Sequence, residues 1–217
     1  MLRRAAAGGA LVATVFIYLI ASRGGSTDVS TMLLAGVGVN AVGMSGIGLL
    51  IFASSDRELR DLNYWMLGSL GGATWTTLIP ALILVIPSLI GLLALTQPLN
   101  ALLLGEGEAQ HLGFNIERIK RFAILFTALV TGASVALTGV IGFVGLVVPH
   151  LVRMMIGADH RNLLPATVLL GTSLVLVADL VARLIVLPAE LPIGIVTSFI
   201  GTPVFIWLLL MRQRGGI

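Results

Sequence analysis

Seven apolar runs divide this chain, most of them about as long as a helix must be to cross a lipid bilayer. They fall at roughly 5–21, 31–53, 76–97, 122–140, 141–156, 163–182 and 191–210. A hydrocarbon core about 30 Å thick takes about 20 residues of α-helix. The run at 141–156 is short and broken by glycine, so it needs protein neighbours to satisfy its backbone at membrane depth. Barrel strands would be shorter and would alternate strictly, which these runs do not. Composition agrees: 57% of the 217 residues are hydrophobic and only 11% are charged, against about one quarter in soluble domains. The expectation is an all-α, polytopic transmembrane bundle of about seven spans, forming a single domain over 1–217. The 26 glycines suit it, since small residues let membrane helices approach closely.

The net charge of +3 comes from arginines scattered singly between apolar runs. That pattern argues against a nucleic-acid surface and for loop charges that set topology. With the 98–121 connection on the cytoplasmic side, Arg23, Arg118, Lys120, Arg121, Arg153, Arg161, Arg212 and Arg214 lie inside. Arg3, Arg4, Arg57, Arg60 and Arg183 lie outside. The excess inside supports this orientation. It also puts Met1 outside, whereas MLRRAAAGGALVATVFIYLIAS taken alone inserts the other way or reads as a signal peptide. The expectation drawn from this conflict is that further spans precede the first run.

Several chemistries are absent. No G-x-x-x-x-G-K-[ST] loop occurs, and Lys120 is the only lysine, so the chain cannot cradle nucleotide phosphates in that way. No H-E-x-x-H or G-x-S-x-G motif occurs, and His111, His150 and His160 fall in three different segments. With no cysteine, disulfides and thiolate metal sites are excluded. No catalytic residue, metal site or cofactor is expected. An ion-coupled carrier needs an ionisable group near the membrane midplane, for which Asp179 is the nearest candidate. Any transport would therefore draw its energy from a partner.

Three segments carry most of the information. LLLGEGEAQHLGFNIERIKR (102–121) is too long for a tight turn; Gly113 breaks it and Asn115 caps the next helix. It reads either as a solvated loop or as a small amphipathic unit offered to a soluble partner. GFVGLVVPHLVRMMIGADHRNLLP (142–165) places Gly142 and Gly145 for close helix approach, kinks at Pro149 and ends at Gly157. A polar turn over 159–161 follows before Pro165 opens the next span. His150 reads as a helix-end histidine bonded to a neighbouring loop rather than as a metal ligand. In VADLVARLIVLPAELPIGIVTSFIGTPVFIWLLLMR (177–212), Asp179 and Arg183 are spaced i,i+4 and share a helix face. Arg183 either pairs with Asp179 or snorkels to the interface, or it docks an acidic partner. Pro188 and Pro192 bracket a turn at the outer surface, and Gly194, Gly201 and Pro203 allow a bent final helix.

These strings together resemble the FecCD permease family, the membrane-spanning subunits of binding-protein-dependent ABC importers for iron–siderophores, haem and vitamin B12. The resemblance rests on LLAGVGVNA (33–41), YWMLGSLGGATW (64–75), LGEGEAQHLG (104–113), GFVGLVVPHLVR (142–153), GADHRNLLPA (157–166), ADLVAR (178–183) and AELPIGIVTSFIGTPVFIWLL (189–209). It implies part of a ten-span permease in the bacterial inner membrane, paired with a second copy or a homologue. The path would follow the dimer axis, lined by the span that includes Leu34 and Gly36 and by the last span with Gly194, Gly201 and Pro203. Gly142, Gly145 and Pro149 would serve helix packing. Two ATP-binding subunits would dock on the coupling loop through Leu104, Gly105, Glu106, Glu108, Ala109, Leu112 and Gly113. A periplasmic or lipid-anchored binding protein would meet Arg183 and deliver the chelate, with ferric siderophore the favoured cargo.

Two features depart from the family pattern. The chain resembles only the fourth span onward, and Gly107 separates the two acids of the coupling loop, Glu106 and Glu108. The alternatives are a truncated fragment without transport of its own and an ion-coupled secondary carrier that depends on Asp179.

Overall fold

The computed structural model describes residues 2–23, 26–27, 29–186 and 190–214. These form α1 (Leu2–Ala21), α2 (Val29–Ala53), α3 (Asp56–Met66), α4 (Trp75–Ala94), α5 (Thr96–Leu102), α6 (Glu106–His111), α7 (Ile116–Thr138), α8 (Val144–Ile156), α9 (His160–Ile185) and α10 (Ile193–Arg214). A two-residue antiparallel pairing of Ser22–Arg23 with Ser26–Thr27 turns the chain between α1 and α2. Helices α2, α4, α7 and α9 are long and apolar enough to span a membrane, and Gly8–Ala21, Val144–Ile156 and Ile193–Leu208 are shorter apolar helices. Every apolar run of the sequence thus falls on a helix.

The boundaries differ where local caps win over hydrophobicity. The chain leaves α7 at Thr138, and Gly139 takes φ 74°. Helix α9 starts at His160, ahead of the apolar run, because Asp159 Oδ1 accepts the Arg161 N–H at 2.9 Å and caps it. Pro165 therefore sits inside α9 rather than opening it. Asn115 caps α7 as its position predicts, its Oδ1 accepting from the Arg118 N–H at 3.1 Å. The turn expected at Pro188 lies outside the described residues.

Contacts divide the chain into two units. The first comprises residues up to Asn63 together with Thr74–Leu137. Here α1 packs on α2, and α2 presents Leu33, Leu34, Val42 and Phe52 outward and buries nothing. An outward apolar surface of that extent suits lipid or another protein chain. The Phe126 ring lies over Gly91 of α4, where any Cβ would collide with it, and Phe122 stacks on Phe126 with centroids 6.0 Å apart. Arg121 Nε donates to Tyr18 Oη at 2.7 Å. That bond brings the C-terminal end of α1 to the N-terminal end of α7, as an alternating topology requires.

The second unit comprises Tyr64–Ala73 and the chain from Thr138 onward. Ala178 and Ala182 of α9 pack against Ile193 and Val196 of α10, while Val148 and Val152 of α8 pack against Leu163 of α9. Three stretches of non-helical backbone meet beside this core. The Ser69 N–H donates to Thr138 C=O at 2.7 Å, the Ile193 N–H to Gly68 C=O at 3.1 Å and the Gly194 N–H to Leu67 C=O at 2.9 Å. In an apolar surround each of these groups left unpaired would cost several kcal/mol. The approach needs glycine. A Cβ on Gly68, whose φ is 73°, would stand 2.8 Å from Val140 O; one on Gly139 would strike Trp65 O, and one on Gly194 would strike Leu67 O.

Outside the spans, the cap of α3 is polar. The Ser55 N–H and Oγ–H both donate to Glu58 Oε2 at 2.9 Å, and these two bonds hold the Glu58 carboxyl below its usual value. The cap holds the carboxylate, so its stabilisation is present above the unfolded value of about 4.3 and is lost as pH falls through the lower folded value.

Two outcomes are expected. Gly68→Ala should destabilise the purified chain by about 2 kcal/mol in a reversible unfolding assay, through left-handed strain and the clash with Val140. Gly36→Ala, where nothing lies within 4 Å, should be no worse than neutral. Hydrogen exchange of the Leu59 amide, which bonds Ser55 C=O at 3.0 Å, should accelerate relative to its intrinsic rate only when Glu58 protonates at acidic pH, and Glu58→Gln should remove that dependence.

Candidate functional site

The 98–121 segment folds. Helices α5 and α6 and the first turn of α7 share a small core of Ala101, Ala109, Ile116 and Ile119, flanked by Leu99, Leu102 and Phe114. Ala109 is 0% exposed, and its carbonyl accepts the Phe114 N–H at 3.1 Å. Gly105 and Gly113, both at positive φ, bracket α6. With Ala109 turned inward, Leu104 and Leu112 are exposed, as is Glu108. The Glu108 carboxylate has no ion-pair partner among the described residues. Glu106 is committed instead: its Oε1 lies 2.7 Å from Lys120 Nζ. The two acids that look alike in GEGE therefore have different surroundings.

Arg183 lies near the C-terminal end of α9 and is held from two sides. Its Nε donates to Asp179 Oδ2 at 2.8 Å, and its Nη1 lies 3.8 Å from Glu190 Oε1. The i,i+4 spacing delivers the first contact and the chain leading into α10 delivers the second. Asp179, the acid an ion-coupled carrier would use, is taken up by this pair.

The remaining sequence candidates separate into packed and open positions. Gly201 faces Phe143, whose side chain leaves no room for a Cβ, and Gly194 faces Leu67 O. Gly142 has Ser198 Oγ at 3.8 Å from its Cβ position, while Gly145 and Gly36 have nothing within 4 Å. Leu34 is exposed on α2. Pro149 and Pro203 lie inside α8 and α10. His150, expected to bond a neighbouring loop, is exposed on α8 and has no hydrogen-bond partner among the described residues; the α8 turn directs it away from Val148 and Val152. A cavity of about 50 Å³ lies between Phe143, Val148, Leu174, Thr197 and Gly201, with almost entirely apolar walls. Among the described residues no three His, Cys, Asp or Glu side chains group as metal ligands.

Sequence reasoning missed two residues. Phe143, at φ 65°, is the one described non-glycine residue with positive φ, and its place before a glycine-broken span gives no warning of it. Lys120 carries a signal that could have found it: a lone lysine near the start of a membrane helix needs a partner.

A profile of the FecCD transport family matches residues 2–211, and the chain belongs to that family. It is 48% identical to the hemin transport system permease protein HmuU of Yersinia pestis, over 96% of this chain and 63% of that protein. It is 41% identical to the cobalamin import system permease protein BtuC of Halobacterium salinarum, over 96% and 56%, and 44% identical to the vitamin B12 import system permease protein BtuC of Salmonella typhi, over 96% and 63%. The chain thus spans about three fifths of the length of these curated relatives. A solved structure described as a metal-chelate type ABC transporter in an inward-facing conformation matches with a TM-score of 0.85 at 29% identity, over 97% of this chain and 73% of that one. Membership of this family agrees with the multi-pass membrane character read from the apolar helices.

The Arg183 contacts predict unequal costs. Asp179 is 22% exposed and Glu190 61%, so Asp179→Asn should lower stability by about 0.5–1 kcal/mol and Glu190→Gln by less than about 0.3, measured by thermal unfolding in detergent.

Proposed function

We propose that this chain is the membrane-spanning subunit of an ATP-driven importer whose cargo is a metal chelate of the siderophore, haem or cobalamin class. The observation that carries the reading is the α5–α6 hairpin. It shares a small core with the first turn of α7, yet Leu104, Glu108 and Leu112 are exposed. A short helix flanked by two exposed leucines, with a carboxylate between them, supports the reading of a docking unit over that of a solvated loop. In this reading two ATP-binding subunits, one for each of two permease copies, engage the hairpin on the cytoplasmic side of the bacterial inner membrane. A periplasmic or lipid-anchored binding protein docks at the opposite face, where Arg183 offers a guanidinium to an acidic side chain. The second permease, a copy or a homologue, covers the outward apolar face of α2 around Leu34 and Gly36, and the path runs beside α2 and α10. Gly194 and Gly201 hold the packing of α10 in place.

Relatives named for haem and for cobalamin support the cargo class. Photocrosslinkers at Leu104, Glu108 and Leu112 are expected to capture an ATP-binding chain, and Leu112→Asp should cut uptake of labelled chelate about tenfold or more in cells lacking their own permease, as loss of an interface anchor does. Crosslinks confined to lipid or to this chain would overturn the assignment. Parallel uptake of ferric siderophore, haem and cobalamin identifies the cargo.

A further inference from the structure

Lys120 is the only lysine in the chain, and its side chain is 11% exposed. Its aliphatic stem is packed away, and the ammonium at its end is set against two carboxylates. Its Nζ lies 2.7 Å from Glu106 Oε1 and 3.9 Å from Glu117 Oε1. Glu117 stands one turn back on the same helix, but Glu106 begins α6, so the shorter contact joins two elements. Two further contacts fix the same junction: Ala109 is buried against the start of α7, and the Phe114 N–H bonds Ala109 C=O. Helix α6 therefore cannot rotate against the first turn of α7 without stripping Lys120 of its nearest anion and opening the Ala109 contact. Helix α7 is 23 residues long, one of four helices among the described residues long and apolar enough to span a membrane. A rigid junction at its start converts motion of α6 into tilt or translation of a whole span.

We propose that Lys120 is a positioning residue that clamps α6 to α7, so that a displacement imposed on α6 by the ATP-binding partner is delivered to the α7 span. Glu106 serves the clamp, while Glu108, with Leu104 and Leu112, serves the partner. The proposal rests on the reading of α6 as the docking element.

The test uses Lys120→Met, Glu106→Gln and a charge swap, Lys120→Glu with Glu106→Lys, built on Glu117→Gln so that no like charge faces the new carboxylate. The assembled complex in liposomes is assayed for ATP hydrolysis and chelate uptake together, and α6 hydrogen exchange is followed in the purified full chain. Lys120→Met should keep the ATP-binding subunit bound and hydrolysing, while in both single variants chelate moved per ATP falls about five- to tenfold, within the range of coupling energies between sites. Exchange of the α6 amides should accelerate, and the charge swap should restore both readouts. Unchanged α6 exchange in Lys120→Met overturns the clamp whether or not a partner binds. Faster exchange with unchanged chelate per ATP overturns the transmission. Failure of the unsubstituted chain to hold an ATP-binding subunit overturns the docking reading instead, so the two failures are told apart.

Discussion

Backbone that leaves the helix in an apolar surround must find hydrogen bonds from its own chain, and the second unit is organised around that requirement. Thr138 ends α7, Leu67–Ser69 follows α3 and Ile193–Gly194 opens α10; each satisfies part of another through main-chain bonds. A buried peptide group left unpaired costs about 1–3 kcal/mol, so these bonds weigh heavily in the local structure. Glycine at 68, 139 and 194 is the condition for the approach, because any Cβ there meets a carbonyl. The short helix α8 can then exist, since the non-helical chain before it is anchored beside protein and need not face lipid.

In the first unit the requirement falls on side chains. Helices α5 and α6 bury little apart from Ala101 and Ala109, which pack against Ile116 and Ile119 of α7, a small core for such an element. The Lys120–Glu106 pair supplies direction where area is scarce. It also gives two neighbouring glutamates different surroundings: Glu106 turns toward the one lysine, and Glu108 makes no ion pair among the described residues.

Much of this was legible in the sequence. The seven runs predicted seven apolar helices, and Asn115, Gly157 and the Asp179–Arg183 spacing each predicted a local feature that formed. These signals are local: a cap, a break or an i,i+4 pair acts within one or two turns. The errors came where a cap and hydrophobicity disagreed, as at the start of α9, where Asp159 extends the helix beyond its apolar stretch. His150 was misjudged because a helical face is decided by what packs on the other side.

The sequence by itself determined the solvent this protein lives in, its helical class and its family, because composition and helix-length periodicity follow from the thickness of a bilayer. Its quoted strings carried the family resemblance. Only the tertiary structure decided which glycines are structural, that Phe143 sits against Gly201, and that Lys120 closes on Glu106. Those outcomes depend on residues far apart in the chain meeting at a few ångströms. Nothing in one-dimensional spacing fixes such a distance until the helices have packed.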